Sequence, residues 1–573
     1  RSVEFDRDWN TRGKGYKGNQ IGSIVGANFV HKKRGNFNLE GQQFLIGSDY
    51  SGLRGAFNGK WYQKGFRAQW DGSYLESRAE SKSQFLRHKV DISQDFKWIR
   101  IGYKDDHERN AYLGTAVPLA RNSYQFWDYQ FYLENGDSIK NGFKLFYRER
   151  LDLISDSFEL RKAAKAQTAG GEVRIKELKN HTINVLGSYR QLKILDETLI
   201  NQTPENSILG RVDYELRLFK NAFTWNTFYE VGSGLEQKKE FMYVQVNAGQ
   251  GIYTWIDYNN DGIKDLNEFE IAQYVDQANY IRVFTPSNQY TKTYTNEFNQ
   301  SLFWRPERIW ASKKGLLKVL STVSDQIRIR INRKTNYFDG INAFNPFATN
   351  VRDTNIISTA YDFRNTLYFN RTSSIVSADW TYQHTKNKSL LASGFDSREN
   401  EYHEFNFRWN ITKMISLEGK SQLGSKLSIA DYTTGRNFGI KYHNIKPAFY
   451  VQTSTAFRVG LTGRYEEKHN REEFGGESAY VGEIGTNVKF NQAEKGSLQA
   501  EFKMISITYN GIQNSALGFE MLESLKPGVN YTWNIGYQRL ISKNLQLSLQ
   551  YNGRKSKDNK MIHSAGMEVR AFF

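Results

Sequence analysis

The feature that most constrains this chain is a two-residue alternation of apolar and polar side chains, which recurs along most of its length. One late segment shows it clearly, with apolar residues at Leu545, Leu547, Leu549 and Tyr551. The intervening residues are Gln, Ser or Asn. Side chains of a β-strand point alternately to opposite faces, so this pattern predicts a strand with one face in an apolar medium.

Comparable segments of about ten residues follow one another, a length that suits a tilted strand crossing a bilayer. The chain is polar on average, with a mean hydropathy of −0.67, yet 15% of its residues are aromatic. Transmembrane barrels combine these properties, because half of each strand faces a wet interior and aromatic residues mark both membrane rims. The sequence therefore predicts an all-β fold, a transmembrane antiparallel β-barrel over residues 1–573. The alternative fold is a soluble, secreted all-β protein.

The connections predict the orientation of the strands. Counting back from the C-terminus, long polar segments such as 333–355, 388–401 and 466–479 fall on one side, and short ones such as 410–414 and 540–544 on the other. Barrels of this type have long extracellular loops and short periplasmic turns. The alternation predicts about 26 strands, give or take four. Upstream of about residue 200 the pattern weakens, because 157–169 has a helical composition and 105–123 looks irregular.

The last strand carries a recognisable signal. Its apolar positions lead to a terminal aromatic residue: Met567, Val569, Ala571 and Phe573. This resembles the C-terminal signal of Gram-negative outer-membrane proteins. The resemblance implies insertion by the barrel-assembly machinery and a location in the cell outer membrane of a Gram-negative bacterium. The chain begins at Arg1 rather than Met, which leaves open a mature form or part of a longer protein.

One acidic stretch interrupts the alternation. Its oxygen-bearing and turn residues follow the order of an EF-hand calcium loop: Asp257, Asn259, Asp261, Gly262, Ile263, Asp265 and Glu268. Calcium takes about seven oxygen ligands, the glycine permits the sharp turn, and the final glutamate can give both of its oxygens. The resemblance implies that Ile263 contributes its backbone carbonyl and that Asp265 acts directly or through water.

The flanks of the acidic stretch differ from those of an EF-hand. The residues before it look like a strand, and those after it have the composition of one or two helical turns. We therefore predict an extracellular loop insertion at 250–290, with a structural Ca²⁺ site at 257–268 rather than a paired-helix sensor. The alternative is a solvated acidic turn, since Asn, Asp and Gly are ordinary turn residues.

Other chemistry finds little support in the sequence. The chain contains no cysteine, which excludes thiolate sites, and it lacks nucleophile-elbow, zinc-protease and phosphate-loop motifs. We predict that it is not an enzyme. The net charge of +17 is spread over strands and turns rather than gathered in a basic run. This distribution favours a polar interior and contacts with outer-membrane lipid and lipopolysaccharide over nucleic-acid binding.

Two classes of function remain. One is a large conduit, namely a porin, transporter or protein-translocation channel. The other is a non-conducting scaffold or assembly partner for surface lipoproteins, periplasmic proteins or other barrels. The Tyr-, Asn- and Lys-rich segment 523–556 resembles large Bacteroidota outer-membrane barrels, with the type 9 secretion translocon as the nearest analogy in style. TonB-dependent transporter barrels are a second comparison, although no plug precedes the strands here.

Overall fold

The computed structural model describes residues 3–11, 15–16, 18–114, 117–135, 141–176, 178–202, 204–337, 340–348, 356–391, 394–431, 434–492, 495–557 and 559–572. The chain divides into two compact units, which are Arg1–Glu215 with Tyr229–Leu235, and Leu216–Phe228 with Glu236–Phe573. Both are built almost wholly of strands. In the described part of the chain, no helix is both long enough and apolar enough to span a membrane.

The first part of the chain forms twelve strands. They are β1 (Gln20–His31), β2 (Gly35–Ile46), β3 (Tyr50–Gln63), β4 (Phe66–Arg78), β5 (Lys82–Phe96), β6 (Ile99–Leu113), β7 (Tyr124–Asn135), β8 (Gly142–Ser155), β9 (Leu160–Ile175), β10 (His181–Ile194), β11 (Glu205–Leu218) and β12 (Phe223–Gln245). A short helix, α1 (Val3–Asp8), precedes them.

Fifteen further strands follow. They are β13 (Tyr253–Trp255), β14 (Phe269–Ile271), β15 (Tyr280–Trp304), β16 (Val323–Thr335), β17 (Ile356–Phe369), β18 (Val376–Leu391), β19 (Gly394–Asn410), β20 (Ile415–Ala430), β21 (Phe438–Gln452), β22 (Phe457–Asn470), β23 (Ser478–Gln492), β24 (Gly496–Tyr509), β25 (Gly528–Ser542), β26 (Leu545–Ser556) and β27 (Ile562–Ala571). Three helices lie between strands: α2 (Glu307–Trp310), α3 (Leu316–Leu320) and α4 (Ala516–Leu522).

Strands that follow one another along the chain pair antiparallel, as in a meander of hairpins. In the second unit β22 pairs with β23 so that Leu461 lies opposite Thr486, and β23 pairs with β24 so that Ile484 lies opposite Met504. This arrangement suits the sequence, because antiparallel neighbours can be joined by a turn of a few residues. It also satisfies each strand's backbone N–H and C=O groups through its neighbours.

The two faces of the sheet carry the reverse of a soluble protein's side chains. On one face of the second unit, Leu461 and Ile484 are 58% and 67% exposed. On the opposite face, Glu466 and Lys468 are each only 6% exposed. Apolar side chains turned outward and charged ones turned inward suit a sheet that stands between lipid and a polar interior. We call these the apolar face and the polar face.

The first unit repeats this inversion. Ile101 and Phe131 are exposed on its apolar face, whereas Arg100 and Asp128 are buried on its polar face. Helix α1 and the residues after it cover part of the polar face, where Trp9 packs with Phe44, Ile46, Tyr50, Leu75 and Phe85. The Tyr50 hydroxyl donates a hydrogen bond to the Trp9 carbonyl oxygen at 2.5 Å.

The predicted fold class, all-β with antiparallel strands and one apolar face, is confirmed. Of the 27 strands, two have three residues and the others have ten or more, so the predicted number of about 26 agrees with the structure. The predicted long loop at 388–401 is mostly strand, because β18 and β19 extend to within two residues of each other.

Two upstream expectations were wrong. The segment 157–169 is not helical; its residues from Leu160 onward belong to β9, where Ala164 and Ala166 pack against Leu192 of β10. Alanine favours helices in isolation, but here its small side chain fits the contact between neighbouring strands, and tertiary packing overrides propensity. The segment 105–123 is strand up to Leu113, and its described remainder, 114 and 117–123, lies outside the strands.

A lysine should destabilise the protein on the apolar face but not on the polar face. Leu461→Lys places a charge on the apolar face, and we expect it to lower the free energy of unfolding from a bilayer by roughly 2–4 kcal/mol. Gln550→Lys, on the polar face of β26, is the matched control and should change it little. Urea titration of the chain folded in lipid vesicles measures both. Equal destabilisation by the two variants would contradict the assignment of the faces.

Candidate functional site

Two connections of the second unit fold back over the polar face, and both lie at the end of the strands predicted to be extracellular. Loop A comprises residues 246–279 between β12 and β15, and loop B comprises residues 510–527 between β24 and β25. Loop A corresponds to the insertion predicted at 250–290, but its boundary differs. Strand β15 already begins at Tyr280, so the last part of the predicted insertion is strand.

Loop A is built around a miniature hairpin. Strands β13 and β14 pair antiparallel, with Trp255 opposite Phe269. Phe269 is buried and stacks on Tyr243 of β12 with ring centroids 4.0 Å apart. Residues 257–268, which resemble an EF-hand calcium loop, form the turn of this hairpin; we call it the calcium-like turn. The predicted helical composition after the turn yields only two short 3-10 turns, Leu266–Glu268 and Val275–Gln277, with β14 between them.

The first half of the turn has the local geometry that its sequence predicts. Gly262 adopts a φ of +73°, a conformation that favours glycine. The Asp257 carboxylate accepts hydrogen bonds from the backbone N–H groups of Asp261 (3.2 Å) and Gly262 (2.9 Å). The Asn259 side-chain oxygen also accepts from Asp261, and Asp261 accepts from the N–H of Ile263 at 2.7 Å. Side-chain oxygens thus organise the turn.

Glu268 closes the turn from the other end. Its side chain is only 2% exposed. One carboxylate oxygen accepts a hydrogen bond from the Trp255 indole N–H at 2.8 Å, and the other accepts from the backbone N–H of Tyr258 at 3.1 Å. Buried carboxylates require such donors, since leaving one unpaired costs several kcal/mol. Glu268 therefore stabilises the hairpin through protein contacts of its own.

The predicted metal ligands are ordered along the turn but are not gathered around one point. Among the described residues, no group of three or more His, Cys, Asp or Glu side chains lies close enough to hold a metal ion. Ile263 and Asp265 are exposed, and Glu268 is turned towards Trp255. The donor set is all oxygen, which is the chemistry calcium prefers. Calcium binding at this turn stays a prediction.

Loop A is attached to the polar face by two ion pairs. Asp276 forms a bidentate pair with Arg554 of β26, at 2.6 and 2.8 Å. Glu270 pairs with Arg436, which lies in the connection between β20 and β21. Burial raises the pKa of the Glu270 carboxyl, although the Arg436 guanidinium opposes this change. Both arginines are largely buried, so these pairs are better shielded from solvent than surface pairs.

Loop B covers the neighbouring part of the same face with helix α4. The Ser515 hydroxyl caps the helix by accepting a hydrogen bond from the Gly518 N–H at 2.9 Å. Met521 and Leu522 are buried against apolar residues that the sheet presents on its otherwise polar face: Ile440, Tyr442, Ala479, Val481, Ile505 and Ile507. Helix α4 therefore packs on an apolar patch of the sheet.

A cluster of charges holds the C-terminal end of α4. The Glu523 carboxylate pairs with Lys468 at 2.8 Å and with Arg464 at 3.0 Å, both on β22. Burial alone would raise the pKa of the Glu523 carboxyl, but Lys468 and Arg464 outweigh it and lower the pKa to about 2. Arg464 also pairs with Glu466 and contacts Glu483 of β23 at 3.6 Å. Strand β22 thus holds Glu523 of loop B directly, and Glu483 of β23 supports Arg464.

The two loops meet beside a partly open pocket. The Asn514 side chain of loop B donates a hydrogen bond to the Asp257 backbone carbonyl oxygen of loop A at 2.9 Å. Between the loops and the wall lies a space of about 320 Å³, lined among others by Tyr274, Glu483, Lys503, Glu523 and Arg554. Its charged lining is extensively ion-paired. The pocket therefore combines paired charges, close to neutral in sum, with apolar surface and is not a strongly anionic or cationic site.

The predicted insertion signal lies where the sequence placed it, as far as the structure describes it. Met567 and Val569 are exposed on the apolar face of β27, opposite Leu549 and Leu547 of β26. Ala571 lies opposite Leu545. Phe573 lies outside the described residues. Recognition of this strand by assembly machinery stays a prediction.

Sequence reasoning missed loop B and its attachment. The signal was present, because Leu517, Met521 and Leu525 follow one another at four-residue spacing, as on the apolar side of a helix. The partners Arg464 and Lys468 could not be paired with Glu523 from sequence, since more than fifty residues separate them.

No described protein family matches the sequence, and no curated protein matches it. Among solved structures, the chain is similar to the copper transporter OprC, with 9% identity, 96% of this chain and 80% of that chain covered, and a TM-score of 0.32. It is also similar to BauA, the ferric preacinetobactin receptor from Acinetobacter baumannii, with 8% identity, 95% of this chain and 79% of that chain covered, and a TM-score of 0.31. The FrpB iron transporter from Neisseria meningitidis has 8% identity, with 83% of this chain and 78% of that chain covered, and a TM-score of 0.30. At these scores the likenesses carry no functional argument.

Two variants separate a calcium site from a hydrogen-bonded turn. We expect calcium to slow proteolysis of loop A in the wild type and chelation to reverse this. Asp265→Ala should weaken only the calcium-dependent protection, because Asp265 is exposed. Glu268→Gln should increase cleavage with and without calcium, since it also weakens the acceptors for Trp255 and Tyr258. Equal wild-type cleavage in calcium and in chelator would contradict the calcium site.

The low pKa of Glu523 predicts when loop B detaches. A carboxyl whose folded pKa lies below its ordinary value of about 4.3 stabilises the fold above that pH. That contribution is lost as the pH falls towards about 2. A fluorescent label on Ile512→Cys, at an exposed position, should therefore report that loop B is attached at pH 5. It should report release of loop B as the pH falls from about 4.3 towards about 2. Glu523→Gln should remove this acid step; if the step persists there, Glu523 is not its cause.

Proposed function

We propose that this chain is an outer-membrane β-barrel of the large Bacteroidota type that acts as a gated conduit. The observation that carries the proposal is the inversion of the faces. Exposed apolar side chains such as Leu461 and Ile484 stand opposite buried charged ones such as Glu466 and Lys468. A sheet of this kind is stable where lipid covers one face and water or protein fills the other.

The location follows from the backbone. In a lipid bilayer every N–H and C=O needs a partner within the protein, which only helices and closed barrels provide. In the part of the chain that the structure describes, all strands but two have ten residues or more, and no helix is long and apolar enough to span a membrane. Bacterial barrels of this size belong to the outer membrane. Outer-membrane lipid and lipopolysaccharide then contact the apolar face, and the barrel-assembly machinery reads the last strand during insertion.

The polar face becomes the lining of the conduit, with loops A and B as its gate. A barrel of about 25 strands is too wide for wall side chains alone to fill. Both loops are anchored to this wall, loop A through Asp276 with Arg554 and loop B through Glu523 with Arg464 and Lys468. Because ion pairs rather than covalent bonds hold them, they can be displaced. This favours a gated conduit over a permanently open pore.

Calcium has a supporting role in this proposal. Asp257, Asn259, Asp261, Asp265 and Glu268, with the carbonyl of Ile263, would hold it in loop A. A bound ion would cross-link the two ends of the turn and stiffen the part of loop A that Asn514 contacts. No enzymatic reaction and no nucleic-acid binding form part of the proposal.

One observation favours a second function, that of a scaffold. Strands β18 and β19, with 16 and 17 residues, exceed the nine to eleven that cross a bilayer. Midway along this hairpin, a His384 ring nitrogen forms a hydrogen bond with Glu399 and the Tyr382 hydroxyl donates to Glu401. Such a polar extension could bind surface lipoproteins or another barrel without any transport.

Conductance in a planar bilayer tests the conduit. We expect low or flickering conductance for the wild type and a larger, steadier conductance for Arg554→Gln combined with Arg436→Gln, because these changes detach loop A. Arg148→Gln, which removes the pair with Asp128 on the polar face of the first unit, is the matched control. A folded barrel that stays silent in all three forms would contradict the conduit and favour the scaffold.

A further inference from the structure

An ordered insertion lies at the opposite end of the strands from loops A and B. Residues 305–322 connect β15 to β16 and contain α2 and α3, whereas the adjacent connections at this end, 219–222 and 370–375, have only four and six residues. We call residues 305–322 the basic insertion. The predicted topology places this end on the periplasmic side of the membrane.

The basic insertion is fixed to the adjacent structure. The Arg305 backbone N–H donates to the Ala222 carbonyl oxygen of the preceding turn at 2.7 Å. The Trp310 ring packs edge-on against Trp304 at the end of β15, with centroids 5.7 Å apart. The Lys318 ammonium donates to the Ala311 carbonyl oxygen at 2.6 Å, which joins α3 to the end of α2. Its surface is therefore a defined one.

That surface is apolar to a degree that water does not favour. Leu316 and Val319 of α3 are 73% and 60% exposed, and Leu317 and Leu320 are also exposed. Trp304 lies on the same face of the sheet as Leu302 and Ile327, which are opposite one another in the β15–β16 pairing. Trp304 and Trp310 therefore place the insertion, with the exposed residues of α3, beside the apolar face of the wall.

The same insertion carries cations that have no acidic partner. Arg308, Lys313 and Lys314 of the insertion, and Lys220 and Arg371 of the adjacent turns, form no ion pair with any residue that the structure describes. This contrasts with the polar face, where Arg464, Lys468 and Arg554 are all paired. Because they are exposed and unpaired, these cations can bind an anion from outside the chain.

We propose that the basic insertion is a binding site for anionic phospholipids at the membrane surface. Leu316 and Val319 enter the boundary between headgroups and acyl chains, while Arg308, Lys313 and Lys314 contact the lipid phosphates. An amphipathic, basic element beside a tryptophan pair has the composition that membrane interfaces favour. An acidic protein could pair with the cations, but it would not account for the exposed apolar residues beside the lipid-facing wall.

The site rests on the proposed membrane location and predicts a specific lipid preference. Each Lys or Arg near an anionic surface contributes about 1 kcal/mol. We therefore expect Arg308→Gln, Lys313→Gln and Lys314→Gln each to lower the preference for phosphatidylglycerol over phosphatidylcholine on the order of fivefold. Lys557→Gln with Lys560→Gln, at the other end of the strands, is the matched control and should leave the preference unchanged.

The experiment uses the full chain folded into vesicles of phosphatidylcholine, with or without phosphatidylglycerol. Heat-modifiable migration first verifies folding, so failure of the barrel is distinguished from failure of the lipid site. Lipid that remains bound after extraction gives the preference. The chain has no cysteine, so Leu316→Cys, or Val319→Cys if the first variant folds poorly, takes a single fluorescent label. A label at Lys557→Cys serves as the exposed reference.

We expect the label at 316 to be quenched by spin-labelled acyl chains and shielded from the neutral aqueous quencher acrylamide. Phosphatidylglycerol should strengthen both effects. The triple variant, which combines Arg308→Gln, Lys313→Gln and Lys314→Gln, should lose this dependence on phosphatidylglycerol. Soluble glycerophosphate should not displace the lipid. A label as open to acrylamide as the one at 557 would overturn the proposal and point to a protein partner. So would an unchanged lipid preference in the triple variant, or full displacement by glycerophosphate.

Discussion

Backbone hydrogen bonding between neighbouring strands is the constraint on which the rest of this structure depends. A chain without long apolar helices can satisfy its backbone in lipid only through strand pairing. Pairing fixes the two-residue alternation of side chains, and that alternation separates Leu461 and Ile484 from Glu466 and Lys468. Loops A and B, which fold over the polar face of the second unit, find both charged partners and local apolar patches there.

The sequence predicted the parts of the fold that depend on local periodicity. Alternation identified the strands, and connection lengths gave a strand number close to the observed one. It failed at 157–169, where an alanine-rich composition suggested a helix although Ala164 and Ala166 pack between strands. It also failed at 388–401, because polar residues at the end of a strand look the same in sequence as a loop. In both places the deciding contacts come from a neighbouring strand.

The candidate site was only half predictable. The turn of loop A was visible because its carboxylates and Gly262 lie within a dozen residues and act on their own backbone. Its position on the polar face was not, since that depends on Arg554, which is 278 residues from Asp276. Long-range ion pairs leave no periodic trace in a sequence. The role of Glu268 as an acceptor for Trp255 was missed for another reason, because the pattern of a calcium loop assigns that carboxylate to the metal.

The contact between Asn514 and the Asp257 carbonyl oxygen has a thermodynamic consequence. It joins the two loops at the residue that begins the calcium-like turn, so the state of one loop enters the free energy of the other. Linkage is reciprocal: if an ion in loop A favours the seated position of α4, then whatever lifts α4 must weaken the affinity for that ion by the same factor. A solute moving along the polar face would then act as an antagonist of calcium without ever touching it.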